Sequence, residues 1–381
     1  MDWWRRVKPP IGLLLLLSLA PSLDAQSSTG KDATARPVVM EGRLREVGQV
    51  LAQLVESYGV SGMEAPVRAT VERLLPPRLR RVTDTAGNLW VSLGQGDPVV
   101  VFIAHLDEIG FRVTAIQPDG SLELAPVGGL FPSLWEAKPA LVHTGNGIVP
   151  GVFMPRDSAA FQSPSHSPPE LRADVGTRTR DATAALGIRV GSTLTMPKQF
   201  VRLAGTRATA RSFDDRVGST AQLLALRRLN PARLRHRVIF VWSVREEIGL
   251  EGAQAVANAL GLRTARVHAV DTFVSADSPL ELGNFGVAPL GRGAVARALD
   301  NSSVTPPAYV DTLVDLARHR RIALQVGTTN GGNDGSVFGE YGVPDVPIGW
   351  PLRYSHSPAE TIDLSDVESL AQIIQAAAES W

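Results

Sequence analysis

Two histidines and four acidic residues of this 381-residue chain have the chemistry of a metal centre. Imidazole nitrogens and carboxylate oxygens together suit a pair of divalent cations, zinc first, with cobalt or manganese as alternatives. The candidate ligands are His105, Asp214, Glu247, Asp271 and His356. Glu246, adjacent to one of them, is a candidate proton acceptor for a metal-activated water.

The pair Glu246 and Glu247 follows an apolar run at residues 238–244. Two adjacent carboxylates at the end of a buried strand repel each other and are poorly solvated. A bound cation, or a raised pKa on one of them, removes this conflict. Asp107 lies two residues after His105 and places a carboxylate where it can orient the imidazole. The set therefore indicates a functional site rather than unrelated capping or surface residues.

Short apolar runs precede most of these residues and predict strands that are buried on both faces of a parallel or mixed sheet. They cover residues 99–104, 238–244, 267–270 and 346–350. Helical patterns at residues 218–229 and 253–260 separate them. The alternation predicts an α/β fold, a three-layer α/β/α sandwich with a central mixed sheet. Residues that follow the carboxyl ends of such strands are expected to meet in one crevice.

Two helix ends are also predicted. Asp214 and Asp215 open a helix, where the helix dipole favours carboxylates. The last helix is predicted to begin at Ser365, with Glu368 three residues later completing a capping box.

Residues 111–207 are rich in glycine, proline and short alternating segments, and they predict an inserted β-rich domain. This insertion divides the predicted catalytic domain into two parts, residues 41–110 and 208–381. Residues 26–40 are interpreted as a polar linker.

Residues 1–25 have the pattern of a signal peptide: basic residues, then an apolar run at residues 11–19, then a cleavage site before Gln26. The sequence therefore predicts an exported, periplasmic or extracellular protein, with an uncleaved membrane anchor as the alternative. No later segment is apolar enough to span a bilayer, so no stable membrane association is expected after cleavage.

Composition excludes several classes of protein. The 38 basic and 38 acidic residues cancel, which gives no indication of a nucleic-acid partner. The chain has no cysteine, which excludes disulfides, thiolate metal sites and a cysteine nucleophile.

The chain resembles the glutamyl-aminopeptidase and deblocking-aminopeptidase family, two-metal exopeptidases known for tetrahedral assemblies. The resemblance extends from about residue 41 to the C-terminus. It rests on five motifs in order, at residues 104–110, 212–216, 245–249, 268–272 and 353–358. Related two-metal carboxypeptidases and deacylases carry their extra domain between the fourth and fifth ligands. Here 85 positions separate Asp271 from His356 and 109 separate His105 from Asp214, which places the insertion on the aminopeptidase side.

The resemblance implies a role for each candidate residue. Asp214 bridges both metals, and its peptide bond to Asp215 is a candidate cis bond. His105 and Asp271 complete one metal site, and Glu247 and His356 complete the other. Asp107 orients His105, and Glu246 transfers the proton from water to the leaving amine.

The resemblance also implies peptide substrates with a free N-terminus. It implies a homo-oligomer, either a dimer or dimers that build a dodecamer through the insertion. Two alternatives remain at this point: a two-metal deacylase that acts on acylated amino acids, and a non-catalytic receptor-like domain on the same fold.

Overall fold

The computed structural model describes residues 32–156, 170–277 and 286–381. The chain divides into two compact units, Met1–Glu41 and Gly42–Trp381. Within the described ranges the α-helices are α1 (Asp32–Val55), α2 (Ala65–Leu74), α3 (Arg180–Ala185), α4 (Phe213–Arg228), α5 (Glu251–Leu260), α6 (Pro307–Arg320) and α7 (Leu364–Ser380). None of these helices is long and apolar enough to cross a membrane.

The strands of the same ranges are β1 (Arg81–Thr83), β2 (Leu89–Leu93), β3 (Val99–His105), β4 (Gly110–Ile116), β5 (Leu122–Val127), β6 (Pro139–Thr144), β7 (Gly147–Phe153), β8 (Arg172–Asp174), β9 (Thr193–Thr195), β10 (Val201–Arg202), β11 (Arg207–Ala210), β12 (Val238–Ser243), β13 (Thr264–Val274), β14 (Ala294–Leu299), β15 (Leu324–Thr328), β16 (Ile348–Leu352) and β17 (Glu360–Asp363). The predicted signal segment lies outside the described residues. Helix α1 begins at Asp32, inside the segment that was interpreted as a linker.

An eight-stranded sheet with the order β1-β2-β12-β3-β13-β16-β14-β15 forms the centre of the larger unit. Strand β3 is parallel to both neighbours, β12 and β13, and β16 is parallel to β13. The β2–β12 and β14–β16 pairs are antiparallel, so the sheet is mixed. The apolar runs of the sequence are thus its inner strands, as predicted.

Alternate side chains of β3 enter two different cores. Phe102 and Ala104 belong to the core that includes residues of α4 and α7. Val101 and Ile103 belong to the core that includes residues of α5. Every residue of β3 and β12 is buried, because helices cover both faces of these strands. A fully buried side chain such as Phe102 contributes about 1.5–3 kcal/mol to folding.

A closed barrel of strands β4-β5-β8-β7-β6-β9 follows β3 in the chain. It has its own core, in which the Trp135 ring packs edge-on against Phe111 and Phe153. Strand β10, also within residues 111–207, pairs instead with β11, which pairs with β17. The barrel strands therefore end at β9.

The predicted capping box of the last helix is wrong. Asp363 is the N-cap of α7, and its carboxylate accepts a hydrogen bond from the backbone N–H of Ser365 at 3.0 Å. Glu368 instead accepts hydrogen bonds from Arg43 and Arg228. Glu368 therefore forms ion pairs with arginines that are distant in the sequence, and not the hydrogen bond at the helix N-terminus that the local pattern predicts.

Glu108, between β3 and β4, is a buried carboxylate that contacts the cationic groups of Lys198, Arg211 and Arg216. Its Oε1 also accepts the backbone N–H of Gly59 at 2.7 Å. Although burial opposes ionisation, these cations hold the pKa of Glu108 well below its usual range. The contact ties together the loop after α1, the segment after β9 and the start of α4.

Replacement of Glu108 by Gln should destabilise the fold by roughly 3–5 kcal/mol, because buried cationic groups then lose their counter-charge. The urea midpoint of unfolding, compared at equal metal content, measures this loss. The matched control is Asp315→Asn, which breaks an exposed 3.3 Å pair with Arg318 and should cost less than about 1 kcal/mol. Equal midpoints for the two variants would contradict the structural role of Glu108.

Candidate metal centre

The structure brings the five predicted ligands together at the carboxyl ends of the inner strands. His105 ends β3, and Asp271 lies two residues past Ala269, the last β13 residue that pairs with β3. Glu247 follows β12, and Asp214 lies in the first turn of α4. His356 lies in the loop between β16 and β17. That these side chains bind metal stays a prediction.

The ligand atoms form two groups that share Asp214. Atoms of His105, Asp214 and Asp271 lie within 4.8 Å of one another, and so do atoms of Asp214, Glu247 and His356. Oδ1 of Asp214 is 3.0 Å from Nε2 of His105, and its Oδ2 is 3.5 Å from Nε2 of His356. One oxygen of the Asp214 carboxylate thus faces the group that contains His105, and the other faces the group that contains His356. The Asp214–Asp215 peptide bond is cis.

Asp107 is buried beneath the centre and orients several groups at once. Its carboxylate accepts the backbone N–H groups of Glu246 and Glu247 at 3.0 and 3.1 Å, and the Ser61 hydroxyl at 2.6 Å. Its Oδ1 is 3.4 Å from Nδ1 of His105. Although burial opposes ionisation, these donors lower the pKa of Asp107. A carboxylate facing Nδ1 leaves Nε2 of His105 as the nitrogen directed at the centre.

Glu360 binds the two loops that carry Asp214 and His356. Its carboxylate accepts the backbone N–H of Phe213 at 2.6 Å and that of His356 at 3.0 Å. Ser212 and His356 both have left-handed backbone angles, with φ of 68° and 58°. Such conformations cost about 1–3 kcal/mol each in residues other than glycine. Glu360 therefore helps to hold two unfavourable backbone conformations that direct ligands inward.

Like charges are crowded in this centre. Burial and the nearby Asp271 and Glu247 carboxylates raise the pKa of Glu246 well above its usual range. Burial and the Asp214 carboxylate raise the pKa of Glu247 to about 7. Burial raises the pKa of Asp271 to about 6, although Arg297, with Nη1 at 3.4 Å, acts in the opposite direction.

Four contributors to the centre are not among the predicted site residues: Asp215, Arg297, Asp334 and Glu360. Asp215 accepts the backbone N–H of His105 at 2.8 Å. Asp334 accepts the Ser243 hydroxyl, and its negative charge helps to raise the pKa of Glu246. The position of Asp215 within the Asp-Asp motif is a sequence signal for its role. Arg297 has no such signal.

The donor set fits two divalent ions. The carboxylates lie side by side in a mostly buried site, and the two imidazoles direct Nε2 at the shared carboxylate. Nitrogen and oxygen donors in overlapping groups are typical of two-metal sites. Bound cations would offset the crowding that raises the pKa values of Glu246 and Glu247.

Comparison with known proteins agrees with this geometry. The family pattern of the M42 glutamyl aminopeptidases matches residues 87–373. The chain belongs to the M42 glutamyl aminopeptidase family. It is therefore a metal-dependent aminopeptidase that hydrolyses peptide bonds, and both the predicted family and the predicted enzyme class are confirmed.

Three relatives illustrate the match. The lysyl aminopeptidase of Pyrococcus furiosus is 30% identical over 342 residues, which cover 87% of this chain and 96% of that enzyme. The glutamyl aminopeptidase of Lactococcus lactis is 26% identical, over 82% of this chain and 90% of that enzyme. The Pyrococcus horikoshii TET1 peptidase, which can assemble into a tetrahedron or a large octahedral shell, is 32% identical. It superposes with a TM-score of 0.80 over 88% of this chain and 100% of its own. The predicted α/β/α fold class is confirmed.

The predicted export is wrong. The TET-type aminopeptidases to which this chain is similar are cytosolic enzymes. The basic and apolar pattern of residues 1–25 was the whole basis for that prediction, and these residues lie outside the described part of the chain.

The metal-free protein should become less stable as the pH rises from about 4.5 to about 7. The pKa of Glu247 rises from 4.5 to about 7 on folding, and that of Asp271 from 3.8 to about 6. A carboxyl with a raised folded pKa binds its proton more tightly in the folded chain. Folding therefore loses free energy as the pH rises through the window between the unfolded and folded values. Melting temperatures of the metal-free protein across this range measure the effect.

The variant Glu247→Gln is the control. Because its side chain cannot titrate, its melting temperature should depend less on pH. Zinc added at the upper end of the range should restore the melting temperature of the unsubstituted protein. A metal-free melting temperature that rises over this pH range would contradict the assignment of crowded carboxylates.

Proposed function

We propose that this chain is a two-metal aminopeptidase that removes residues one at a time from the free N-terminus of peptides. The observation that carries the proposal is the pair of overlapping ligand groups joined by the two oxygens of Asp214. The family establishes a metal-dependent aminopeptidase. The number of ions and the roles of individual side chains belong to the proposal.

The two metals, zinc or alternatively cobalt or manganese, would be held by five side chains. His105 and Asp271 would hold one ion, Glu247 and His356 would hold the other, and Asp214, which belongs to both ligand groups, would serve both. When bound, the pair supplies Lewis acidity that polarises the scissile carbonyl and acidifies the attacking water. Asp107 keeps Nε2 of His105 directed at the shared carboxylate of Asp214, and it fixes the backbone of Glu246 and Glu247 through their N–H groups.

Glu246 is the proposed general base. Its carboxylate lies 3.9 Å from Nε2 of His105, is partly open to the cavity beside the ligands, and belongs to neither ligand group. Glu246 takes a proton from the attacking water and returns it to the leaving amino group of the peptide. A carboxyl whose pKa is raised by its surroundings accepts a proton more readily than an exposed one.

We also propose that the chain forms a homo-oligomer through the inserted domain of residues 111–207, which contains most of the barrel, either as a dimer or as a dodecamer built of dimers. Strand β7 supports this proposal, because its Ile148 and Val152 are about half exposed, at 50% and 48%, on a single face. The assembly of the P. horikoshii TET1 peptidase is a precedent on the same fold.

Amino acid release from matched unblocked and N-acetylated peptides tests the activity. Stepwise release from the unblocked peptides alone is expected, and it should stop when the metals are chelated. Release from the acetylated peptides alone would assign the chain to the deacylase alternative instead.

Replacement of Glu246 by Gln should lower kcat by about 10²–10⁴-fold, which is the usual contribution of general acid–base catalysis. Metal content, measured by elemental analysis, should stay at two ions because Glu246 is not a ligand. The exposed Glu56 gives the control variant Glu56→Gln, which should keep full activity. Unchanged turnover in Glu246→Gln would remove Glu246 from the mechanism.

The variant His356→Ala should lose one of the two ions and most of the activity, because Glu247 and Asp214 alone hold that ion weakly. The metal-to-protein ratio should fall from two to one under dialysis. His319→Ala, at an exposed position on α6, should keep both ions. Two tightly held ions and full activity in His356→Ala would contradict the two-metal proposal.

A further inference from the structure

A cavity of about 890 Å³ opens on the candidate metal centre, with Asp214, Glu246 and His356 in its wall. An aminopeptidase must bring the carbonyl of the first substrate residue to the metals. The side chain of that residue therefore enters the space beside them. If the proposed function holds, the lining of this space determines which side chains of the first substrate residue the enzyme accepts.

One wall of the cavity is apolar. Leu130, Phe131 and Leu134 come from the segment after β5, Leu250 directly precedes α5, and Val274 is the last residue of β13. Phe131 is 59% exposed and Leu134 is 40% exposed. Large apolar side chains exposed together at the mouth of a concave site are typical of a surface that binds an apolar group.

Among the described residues that line it, the cavity has no free cation for a substrate carboxylate. Arg297 is the cationic residue among its described lining residues, and its side chain is only 1% exposed. Its Nη2 is 2.8 Å from Oδ2 of Asp300, and its Nη1 donates to the carbonyl oxygen of Thr272 at 2.9 Å. Arg297 therefore supports the wall and does not present its charge to the cavity.

Nor does any described residue that lines the cavity offer a free anion to a substrate ammonium group on a side chain. The acidic residues among its described lining residues are Asp214, Glu246, Glu247 and Asp271. All of them belong to the proposed metal centre or act as its base. A lysine or glutamate side chain in this cavity would lose hydration without gaining a free opposite charge from any described lining residue.

Family membership does not decide the question, because one relative is a lysyl and another a glutamyl aminopeptidase. We propose that this chain prefers peptides whose N-terminal residue is large and apolar, such as leucine, methionine or phenylalanine. The apolar wall binds the side chain, and Leu134 is a specificity-determining residue of that wall.

The test compares kcat/KM for p-nitroanilides of leucine, phenylalanine, alanine, lysine and glutamate, in which the leaving group is constant. Leucine and phenylalanine should exceed lysine and glutamate by at least about 10-fold. A lysine or glutamate substrate that is hydrolysed fastest would overturn the specificity while leaving the aminopeptidase proposal intact. No hydrolysis of any substrate by protein that holds two metals would overturn both.

Charge changes at Leu134 test the wall itself. Leu134→Asp should raise the lysine-to-leucine ratio of kcat/KM by about 10-fold or more, and Leu134→Lys should raise the glutamate-to-leucine ratio similarly. Leu134→Asn controls for lost apolar surface and should change neither charged-substrate ratio by more than about 3-fold. Leu186→Asp, at a residue directly after α3 that has nearly equal exposure (39%) and does not line the cavity, should leave all ratios unchanged.

If the Leu134 variants do not fold, Phe131→Asp and Phe131→Lys make the same test at a more exposed residue of the same wall. The lysine-to-leucine and glutamate-to-leucine ratios of kcat/KM could also stay unchanged when either charge is placed at Leu134 or at Phe131. That result would overturn the proposal that this wall binds the side chain of the first substrate residue.

Discussion

Repulsion among the buried carboxylates of Asp214, Glu246, Glu247 and Asp271 is the constraint around which the centre is organised. Three of these groups resist ionisation, as the raised pKa values of Glu246, Glu247 and Asp271 show, whereas, despite burial, the imidazoles of His105 and His356 lower the pKa of Asp214. A site of this kind is stable only if it binds cations or protons. The scaffold must therefore be rigid enough to keep the carboxylates together before any cation arrives.

The segments that carry these carboxylates are held in place by other buried acidic residues, which accept hydrogen bonds from their backbone N–H groups. Asp107 holds the N–H groups of Glu246 and Glu247, and Glu360 holds those of Phe213 and His356. Asp215 does the same for His105. These three carboxylates bind N–H donors and are not themselves in the two ligand groups. The centre thus has an inner set of acids, the proposed ligands and base, and an outer set that positions the backbone segments of the site.

The sequence predicts the parts of this arrangement that local pattern encodes. The apolar run at residues 99–104 predicts a strand buried on both faces, and the residue after it is a ligand candidate for that reason. No local sequence pattern predicts the roles of Glu108 and Arg297. The contact of Glu108 with Arg211 spans 103 residues, and only the folded chain shows it. Asp363 caps α7 in place of Ser365, and Glu368, the predicted partner in the capping box, pairs instead with arginines that are distant in the sequence.

Chemistry and specificity come from different elements of this fold. The ligands lie at the ends of the inner strands, whose positions are fixed by hydrogen bonding to their neighbours. Much of the apolar wall comes from residues 130–134, between strands of the barrel. Substitution in such a connecting segment alters the cavity without moving a ligand. A family built in this way can include lysyl and glutamyl aminopeptidases with one fold. The preference of each member must therefore be read from its own cavity wall.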